Sequence, residues 1–347
     1  MRSDREIAVG VSGGVDSSVC VAMLKEAGYR VTGVMLDMFG GREGDASALE
    51  ARLGVPVIYR DVSRKFSASV IEPFIDGLLG GATPSPCTLC NPAVKWREIK
   101  AVADEIGASL WATGHYCRIT ERDGIRYVTR GADPVKDQSY YLWRLDDELL
   151  GGAVMPLGDS LKSDIKAIAV AKGLGDIAAK RESMSVCFFD SGGYASLLEK
   201  RGKMSAIGRG AVRDRLGHVI AEHEGFPLYT IGQKRGLDLP PGLCITRIDA
   251  ATNTLFAGSP EELYSTRITL TDTHIRHPEE LFNSDRITVA VRGIGRNPEG
   301  FARVSASGDD IEVRLPGRGA WAVCKGQPAV FYIDGRVVGG GVVCRYE

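Results

Sequence analysis

The run Ser12-Gly13-Gly14-Val15-Asp16-Ser17-Ser18 follows directly on the apolar stretch Ile7-Ala8-Val9-Gly10-Val11, and that pairing restricts the chain to few folds. A short β-branched run stops, two glycines turn the chain, and a helical pattern opens at Asp16. This is the signature of a strand–loop–helix phosphate site. Glycines let backbone N–H groups close on an anion, and the start of a helix adds partial positive charge. It is not a Walker A loop, because no Gly-Lys-Ser/Thr follows at the required spacing. A bare Gly-Gly behind a strand is most often a plain turn; the full seven-residue string is far more specific.

The first 200 residues alternate strand and helix patterns. Strands are expected at Ile7–Val11, Val31–Leu36, Val55–Tyr59 and Leu110–Thr113. Helices are expected from Asp16 to Ala27, closed by Gly28, and from Asp45 to Leu53, closed by Gly54. Lys65–Leu79 reads as a helix broken or kinked at Pro73. Asn91-Pro92 reads as an N-cap with Pro at N1, opening a helix to Ile106. Helical patterns resume at Gln138–Leu149 and Leu161–Ala171. Asp123-Gly124 between two β-like runs marks a hairpin. This order implies a parallel sheet covered on both faces. Beyond residue 200 the pattern changes to short alternating runs. Ile268–Leu270, Ile287–Val291, Phe301–Ser305, Ile311–Arg314, Ala329–Ile333 and Val337–Cys344 read as the strands of a small β-barrel. The expected division is therefore 1–204, a small central domain at 205–262, and a barrel at 263–347.

With 44% hydrophobic and 25% charged residues, the chain has an ordinary globular composition. No apolar run reaches the length of a membrane span. The charged Met1–Arg5 leads into a strand rather than a signal-peptide core, so a cytoplasmic location is expected. The net charge of −1 does not advertise a polyanion partner. Residues 201–347 carry 19 Lys and Arg against 17 Asp and Glu, which leaves room only for a local basic patch.

The eight cysteines are scattered, which is no disulfide framework. Cys20, Cys117, Cys244, Cys324 and Cys344 sit in apolar patterns and read as core thiols. Cys87-Thr88-Leu89-Cys90 follows the stiff loop Thr83-Pro84-Ser85-Pro86 and precedes the expected helix at Asn91. A thiol at a helix N-terminus has a lowered pKa, so Cys90 is expected to carry thiolate character. Half of a zinc site and a redox dithiol are the other readings. Zinc lacks a second C-x-x-C or a His pair. By pattern alone Cys187, in Met184-Ser185-Val186-Cys187-Phe188-Phe189-Asp190, is a buried strand cysteine.

The Ser12–Ser18 string resembles the PP-loop of ATP pyrophosphatases, which cut ATP between its α and β phosphates. Further strings extend the resemblance over almost the whole chain. They are Thr83-Pro84-x-Pro86-x-x-x-Cys90-Asn91, Ala112-Thr113-Gly114-His115-Tyr116, Lys136-Asp137-Gln138-Ser139-Tyr140, Pro156-Leu157-Gly158-Asp159, Val186-Cys187-Phe188, Tyr229-Thr230-Ile231-Gly232-Gln233 and Gly326-Gln327. Together and in this order they resemble the tRNA-specific 2-thiouridylase family. The resemblance implies an α/β fold: an N-terminal PP-loop domain of the adenine nucleotide α-hydrolase kind with a Rossmann-like parallel sheet, a small central domain and a C-terminal β-barrel that contacts tRNA.

It also implies a reaction. ATP, with Mg2+, adenylates the C2 oxygen of wobble uridine U34 in the anticodon loop, and a sulfur nucleophile displaces AMP to leave 2-thiouridine. Gly10, Val11, Ser12, Gly13, Gly14, Val15, Asp16, Ser17, Leu36 and Gly114 would hold ATP. His115, Lys136, Asp137, Gln138 and Gln327 would touch tRNA, and Ser85, Pro86 and Cys87 would border the target base. Cys90 would be the nucleophile and Cys187 the persulfide carrier, loaded by a sulfur-donor or relay protein or another sulfide source. The chemistry is coherent. Uridine O2 leaves poorly until it is an AMP ester, and a thiolate or persulfide is a good nucleophile near neutral pH. The base must leave the anticodon stack, which suits a single-stranded loop.

The chain departs from the family in three places. Cys87 stands where the family commonly has Asp. Leu36–Asp45 is short and Gly-rich. The Arg-Tyr pair often found in the barrel is not visible, and Arg292-Gly293 stands nearest. With Cys87 present, Cys87, Cys90 and Cys187 form a set of three thiolates that could ligate a [4Fe–4S] cluster with one iron open. The competing reading is cluster-free transfer through a transient Cys90–Cys187 disulfide, with Cys87 as a spare or resolving thiol. Two other functions are weighed against the resemblance: a PP-loop amidating ligase, and a non-catalytic sulfur or iron–sulfur carrier. The later motifs do not fit the ligase. The intact Asp16 and Ser17 argue against the carrier.

Overall fold

The computed structural model describes residues 3–179, 186–189, 192–204, 207–293 and 296–347. The chain divides into two compact units. One holds Met1–Ile71, Cys87–Glu182 and Tyr332–Val338; the other holds Glu72–Pro86, Ser183–Phe331 and Gly339–Glu347.

The first unit is built on a five-stranded parallel sheet. Its strands are β1 (Ser3–Gly10), β2 (Arg30–Asp37), β3 (Val57–Asp61), β4 (Ala108–Ala112) and β7 (Ala153–Val154), in the order β3-β2-β1-β4-β7. Ile7, Ala8 and Val9 are consecutive and all fully buried. Period-2 alternation is absent there because helices cover both faces of the sheet. Helix α1 (Val15–Glu26) crosses from β1 to β2, and α2 (Glu43–Leu53) crosses from β2 to β3. Gly28, at φ +85°, ends α1: its N–H donates to Lys25 O, and that of Tyr29 to Leu24 O. Gly54, at φ +60°, ends α2 in the same left-handed way. The core packs Val9, Val19, Leu24 and Val31 with Tyr116, Leu157 and Ile165.

The expected hairpin is present as β5 (Cys117–Arg122) and β6 (Ile125–Arg130), turned by Asp123 and Gly124 at φ +54° and +76°. Arg336 pairs with Thr129 on its outer edge. The expected helix over Gln138–Leu149 is not continuous. It resolves into a 3-10 turn, Ser139–Leu142, and a short helix, Asp147–Gly151, N-capped by Asp146 through Leu149 N–H. Asp146 offers its carboxylate to that N–H and so starts the second element.

In the second unit Gly210–Arg213, Val219–His223, Cys244–Asp249 and Thr254–Gly258 form a four-stranded sheet. Val212, Phe226, Ile231, Ile245 and Leu255 fill its core. The C-terminal strands run in the spatial order Ile287–Val291, Pro328–Ile333, Arg336–Tyr346, Arg267–Ile275, Asp310–Arg314, Arg303–Ser307. All six strands expected there are present. Cys20, Cys117, Cys244 and Cys324 are buried, as core thiols should be. Cys344 is half-buried, its thiol turned to Thr269 O at 3.3 Å.

Candidate functional site

β1 lies between β2 and β4, so the loops leaving β1 and β4 diverge at their carboxyl ends. That is the crevice in which open α/β sheets bind ligands. The loop after β1 is Val11–Gly14. Gly13 takes φ +77°, a conformation that favours glycine. The Ser17 and Ser18 hydroxyls donate to Gly14 O at 3.2 and 2.9 Å, and Ser12 N–H donates to Ser17 Oγ at 3.2 Å. The side chains thus brace the loop from within. Gly14 caps α1 with no side-chain hydrogen bond among the described residues. The first-turn N–H groups have no acceptor inside the helix, which makes this helix end at the crevice a candidate anion cradle.

The loop after β4 closes this cradle from the other side. A Cβ on Gly114 would stand 3.1 Å from the Asp16 carbonyl carbon and from Ser17 N, so only glycine lets this backbone approach without displacement. A Cβ on Gly10 would stand 2.6 Å from Ile99 Cδ1. Leu36, half-buried, is the residue before Asp37, with which β2 ends at the rim. The residues expected to hold ATP, Gly10–Ser17 and Gly114, are therefore gathered at one crevice, with Leu36 at the end of the adjacent strand.

Two residues there escaped the sequence reading. Lys162 places Nζ 2.6 and 2.8 Å from the two Asp16 carboxylate oxygens, and Tyr116 donates its hydroxyl to Asp16 Oδ1 at 2.6 Å. Lys162 opens its helix, Lys162–Ala171. A cation at a helix N-terminus opposes the macrodipole, so a buried lysine there needs an anionic partner. That mismatch, just beyond Pro156–Asp159, is the signal that could have exposed it. The other is Asp37, fully buried. Its oxygens accept from Phe39 N–H, Gly40 N–H, Arg42 N–H and Tyr59 OH at 2.8–3.0 Å. Burial pushes its pKa up, but these four hydrogen bonds outweigh that and hold it below the usual carboxylate range. Asp37 folds the Gly-rich loop at the crevice rim around itself.

The expected RNA contacts are placed variously. His115 is buried, stacked on Trp96 with ring centroids 6.2 Å apart, and its Nδ1 lies 2.7 Å from Thr113 Oγ1. Burial, with Lys95 adding to it, pushes the imidazole well below its ordinary pKa and keeps it neutral. Asp137 turns inward. It accepts from Gly131 N–H, Ser139 N–H and Ser139 Oγ at 3.0, 3.2 and 2.8 Å. Gln138 grips the Tyr116 backbone at both ends, through its own N–H at 2.9 Å and its Oε1 at 3.0 Å. Lys136 is half-buried, its N–H turned to Asp133. Gln327, in the second unit, is half-buried, and its Oε1 has no partner among the described residues.

The cysteines correct two expectations. The helix does not begin at Asn91. An α-helical turn starts at Pro86, runs to Cys90, passes through a π-turn at Asn91–Lys95 and continues as Trp96–Glu105. Pro92 has no N–H to give, and the wider turn absorbs the missing bond. Asn91 lies within the helix, its Nδ2 donating to Cys87 O and Tyr141 O at 3.0 and 3.2 Å. Cys90 is therefore not at a helix start; the first turn belongs to Cys87. Cys87 is half-buried and Cys90 buried. Burial pushes the Cys87 thiol up, with Lys95 pulling the other way. Ser85 is half-buried and Pro86 buried.

Cys187 is not a buried strand residue. It is exposed, in a turn closed by Phe189 N–H to Val186 O at 3.1 Å; Met184 and Ser185 of the expected strand lie outside the described residues. The flanking apolar side chains are used by tertiary packing instead. Phe188 and Phe189 meet Phe74 at 5.5 and 5.7 Å between centroids, and Tyr194 joins them. Cys87 and Cys90 belong to the first unit and Cys187 to the second. Among the described residues no group of three or more His, Cys, Asp or Glu is placed to hold a metal ion. Also among these residues, no helix is long and apolar enough to cross a membrane.

Comparison with known proteins agrees with this architecture. Residues 5–191 match the family described as tRNA methyl transferase HUP domain. Residues 197–259 match the tRNA methyl transferase PRC-barrel domain, and residues 265–343 the aminomethyltransferase β-barrel domain. The chain is 37% identical to tRNA-specific 2-thiouridylase MnmA 2 of Phocaeicola vulgatus, over 98% of each protein. It is 37% identical to tRNA-specific 2-thiouridylase MnmA 1 of Bacteroides fragilis, over 99% of this chain and 98% of that one. It is 33% identical to tRNA-specific 2-thiouridylase MnmA 2 of Clostridium botulinum, over 97% and 98%.

Proposed function

The chain belongs to the tRNA-specific 2-thiouridylase family and is a tRNA-uridine 2-sulfurtransferase, and from that premise we propose how its residues divide the work. ATP binds at the crevice between β1 and β4. The observation that carries this is the anion cradle itself: the α1 N-terminus, the Gly13-Gly14 turn and Gly114 packed against the first turn of α1. The Gly10–Ser17 loop holds the phosphates, through the amides at the first turn of α1, and Leu36 borders the adenosine. The uridine C2 oxygen attacks the α-phosphate, pyrophosphate leaves, and C2 becomes an activated ester. Mg2+ would screen charge on the pyrophosphate.

Sulfur then replaces the adenylate. Cys187, exposed on its turn, is the thiol that a donor protein can reach to load as a persulfide. Its terminal sulfur attacks C2 and AMP leaves. Cys90 then attacks the Cys187 sulfur, releasing 2-thiouridine and forming a disulfide. Ser85 and Pro86 border the extruded base, and Lys136 and Gln327 contact tRNA.

The test is tRNA-dependent conversion of ATP to AMP and pyrophosphate, together with one 2-thiouridine per turnover. Amidated product in place of thiolated product would support the ligase reading. Sulfur binding without AMP formation would support the carrier reading.

The [4Fe–4S] alternative keeps the C-x-x-C spacing in its favour. Among the described residues no group of three or more His, Cys, Asp or Glu is placed to hold a metal ion, and no step is derived through a cluster. Protein purified anaerobically is expected to contain well under one iron per chain and to thiolate with a persulfide donor. Activity that tracks roughly four irons per chain would reverse that reading.

Asp37 yields a further expected result. In Asp37→Asn an NH2 faces either the Arg42 N–H and Tyr59 OH or the Phe39 and Gly40 N–H groups, so donors meet donors. Each lost charge-assisted bond is worth about 1.5–3 kcal/mol. The KM for ATP should rise about tenfold or more with kcat little changed. A fall in kcat at unchanged KM would remove Asp37 from the nucleotide rim. Because its folded pKa is depressed, its contribution to stability is present above the unfolded value, about 3.9. That contribution is lost as pH falls through the folded value.

A further inference from the structure

Cys87 has no role in the steps above, yet the fold sets it one helical turn before the nucleophile. Pro86–Cys90 is an α-helical turn, so positions 87 and 90 share a face. Side chains three apart on a helix have Cβ atoms about 5–6 Å from each other. A disulfide needs Cβ atoms about 3.5–4.5 Å apart, so closing the bond requires this turn to tighten by about 1–2 Å. Both cysteines lie in the same compact unit, Cys87 half-buried and Cys90 buried. The π-turn at Asn91–Lys95 begins directly after Cys90, where the helix already departs from regular geometry.

We propose that Cys87 is the resolving thiol of the sulfur-transfer cycle, closing a Cys87–Cys90 disulfide that frees the sulfur-carrying cysteine for reloading. This rests on the persulfide reading given above. Sulfur transfer leaves Cys90 in a disulfide with the thiol that carried the sulfur. The Cys87 thiol gives its proton to solvent, and its thiolate attacks Cys90 Sγ. The Cys87–Cys90 bond forms, the mixed disulfide breaks, and the carrier leaves as a thiolate with the bonding electron pair. The two electrons lost by the thiols are those that reduced the persulfide sulfur now held at C2. An external dithiol, dithiothreitol in the assay, then reduces the Cys87–Cys90 bond. Burial pushes the Cys87 thiol up, so the resolving step should accelerate as pH rises between about 7 and 9.

The experiment is a single turnover of persulfide-loaded protein with ATP and tRNA, without reductant, followed by alkylation and peptide mass spectrometry. In the wild type, the peptide carrying both cysteines should resist alkylation and be about 2 Da lighter, in proportion to the 2-thiouridine formed. In Cys87→Ser and Cys87→Asp, Cys90 should be retained in a mixed disulfide in proportion to whatever 2-thiouridine the first turnover forms. Their steady-state rate with limiting dithiothreitol should fall roughly tenfold or more. Full steady-state turnover in Cys87→Ser would overturn the proposal. So would full turnover in Cys87→Asp, which would make position 87 an acid–base site, or a wild-type pair that stays alkylatable after the burst. Absence of any wild-type burst would instead strike at the persulfide reading itself.

Discussion

Replacing Cys90 with serine is expected to abolish 2-thiouridine formation, by at least about 10³-fold, while tRNA-dependent release of pyrophosphate continues. In the proposed mechanism the two halves of the reaction draw on different residues. Adenylation is proposed at the cradle at the ends of β1 and β4, where Gly13, Gly14 and the first turn of α1 meet Gly114. Sulfur transfer is proposed to use Cys90, on the turn Pro86–Cys90. A serine hydroxyl fits the same space, but it is a poor nucleophile near neutral pH and cannot cleave a sulfur–sulfur bond by exchange. The variant should therefore activate its substrate and stall. Pyrophosphate release and thiouridine content, measured on one sample, separate the steps. Loss of both together would mean that Cys90 supports the adenylation site. Retention of both would remove it from the chemistry.

How much of this was legible depended on whether the deciding interaction was local. The Ser12–Ser18 loop could be read because its turn, its glycine with positive φ and its helix start lie within seven residues. Gly28 and Gly54 could be read for the same reason. The start of the cysteine helix could not be assigned correctly, because Ser85-Pro86 and Asn91-Pro92 carry the same N-terminal signal. The choice between them fell to the π-turn and to the Asn91 bond to Tyr141 O, fifty residues away. Cys187 misled for a related reason. Val186, Phe188 and Phe189 look like a strand, yet the two phenylalanines pack on Phe74, more than a hundred residues earlier. The pattern recorded correctly that they are apolar; it could not record what they cover. Asp37 and Lys162 went unread because each looks like an ordinary surface charge until its partners, Tyr59 and Asp16, are brought to it.

Lys162→Ala is expected to slow adenylation by about 10²–10³-fold, the scale on which removal of one preorganised charge-stabilising donor acts. Asp16 stands in the first turn of α1, among the amides proposed to receive phosphate, and a bare carboxylate there would repel the nucleotide. Lys162 answers that charge with two contacts of 2.6 and 2.8 Å, and its side chain is only 10% exposed. Its ammonium also lies 5.3 Å from the centre of the Tyr116 ring, whose hydroxyl binds the same carboxylate. Removing the lysine leaves the Asp16 charge with only the Tyr116 hydroxyl and takes a cation from the place proposed for the departing pyrophosphate. Lys162→Arg should recover part of the rate, because the charge returns with a different shape. The double variant Asp16→Asn/Lys162→Ala separates the two effects. If repulsion dominates, it should bind ATP more tightly than Lys162→Ala alone, and the coupling should exceed the scatter expected of independent sites. If Lys162 acts on the departing pyrophosphate, the double variant should bind ATP and still fail to cleave it. Wild-type kcat/KM in Lys162→Ala would refute both and leave the ion pair as scaffolding between α1 and the helix that Lys162 begins.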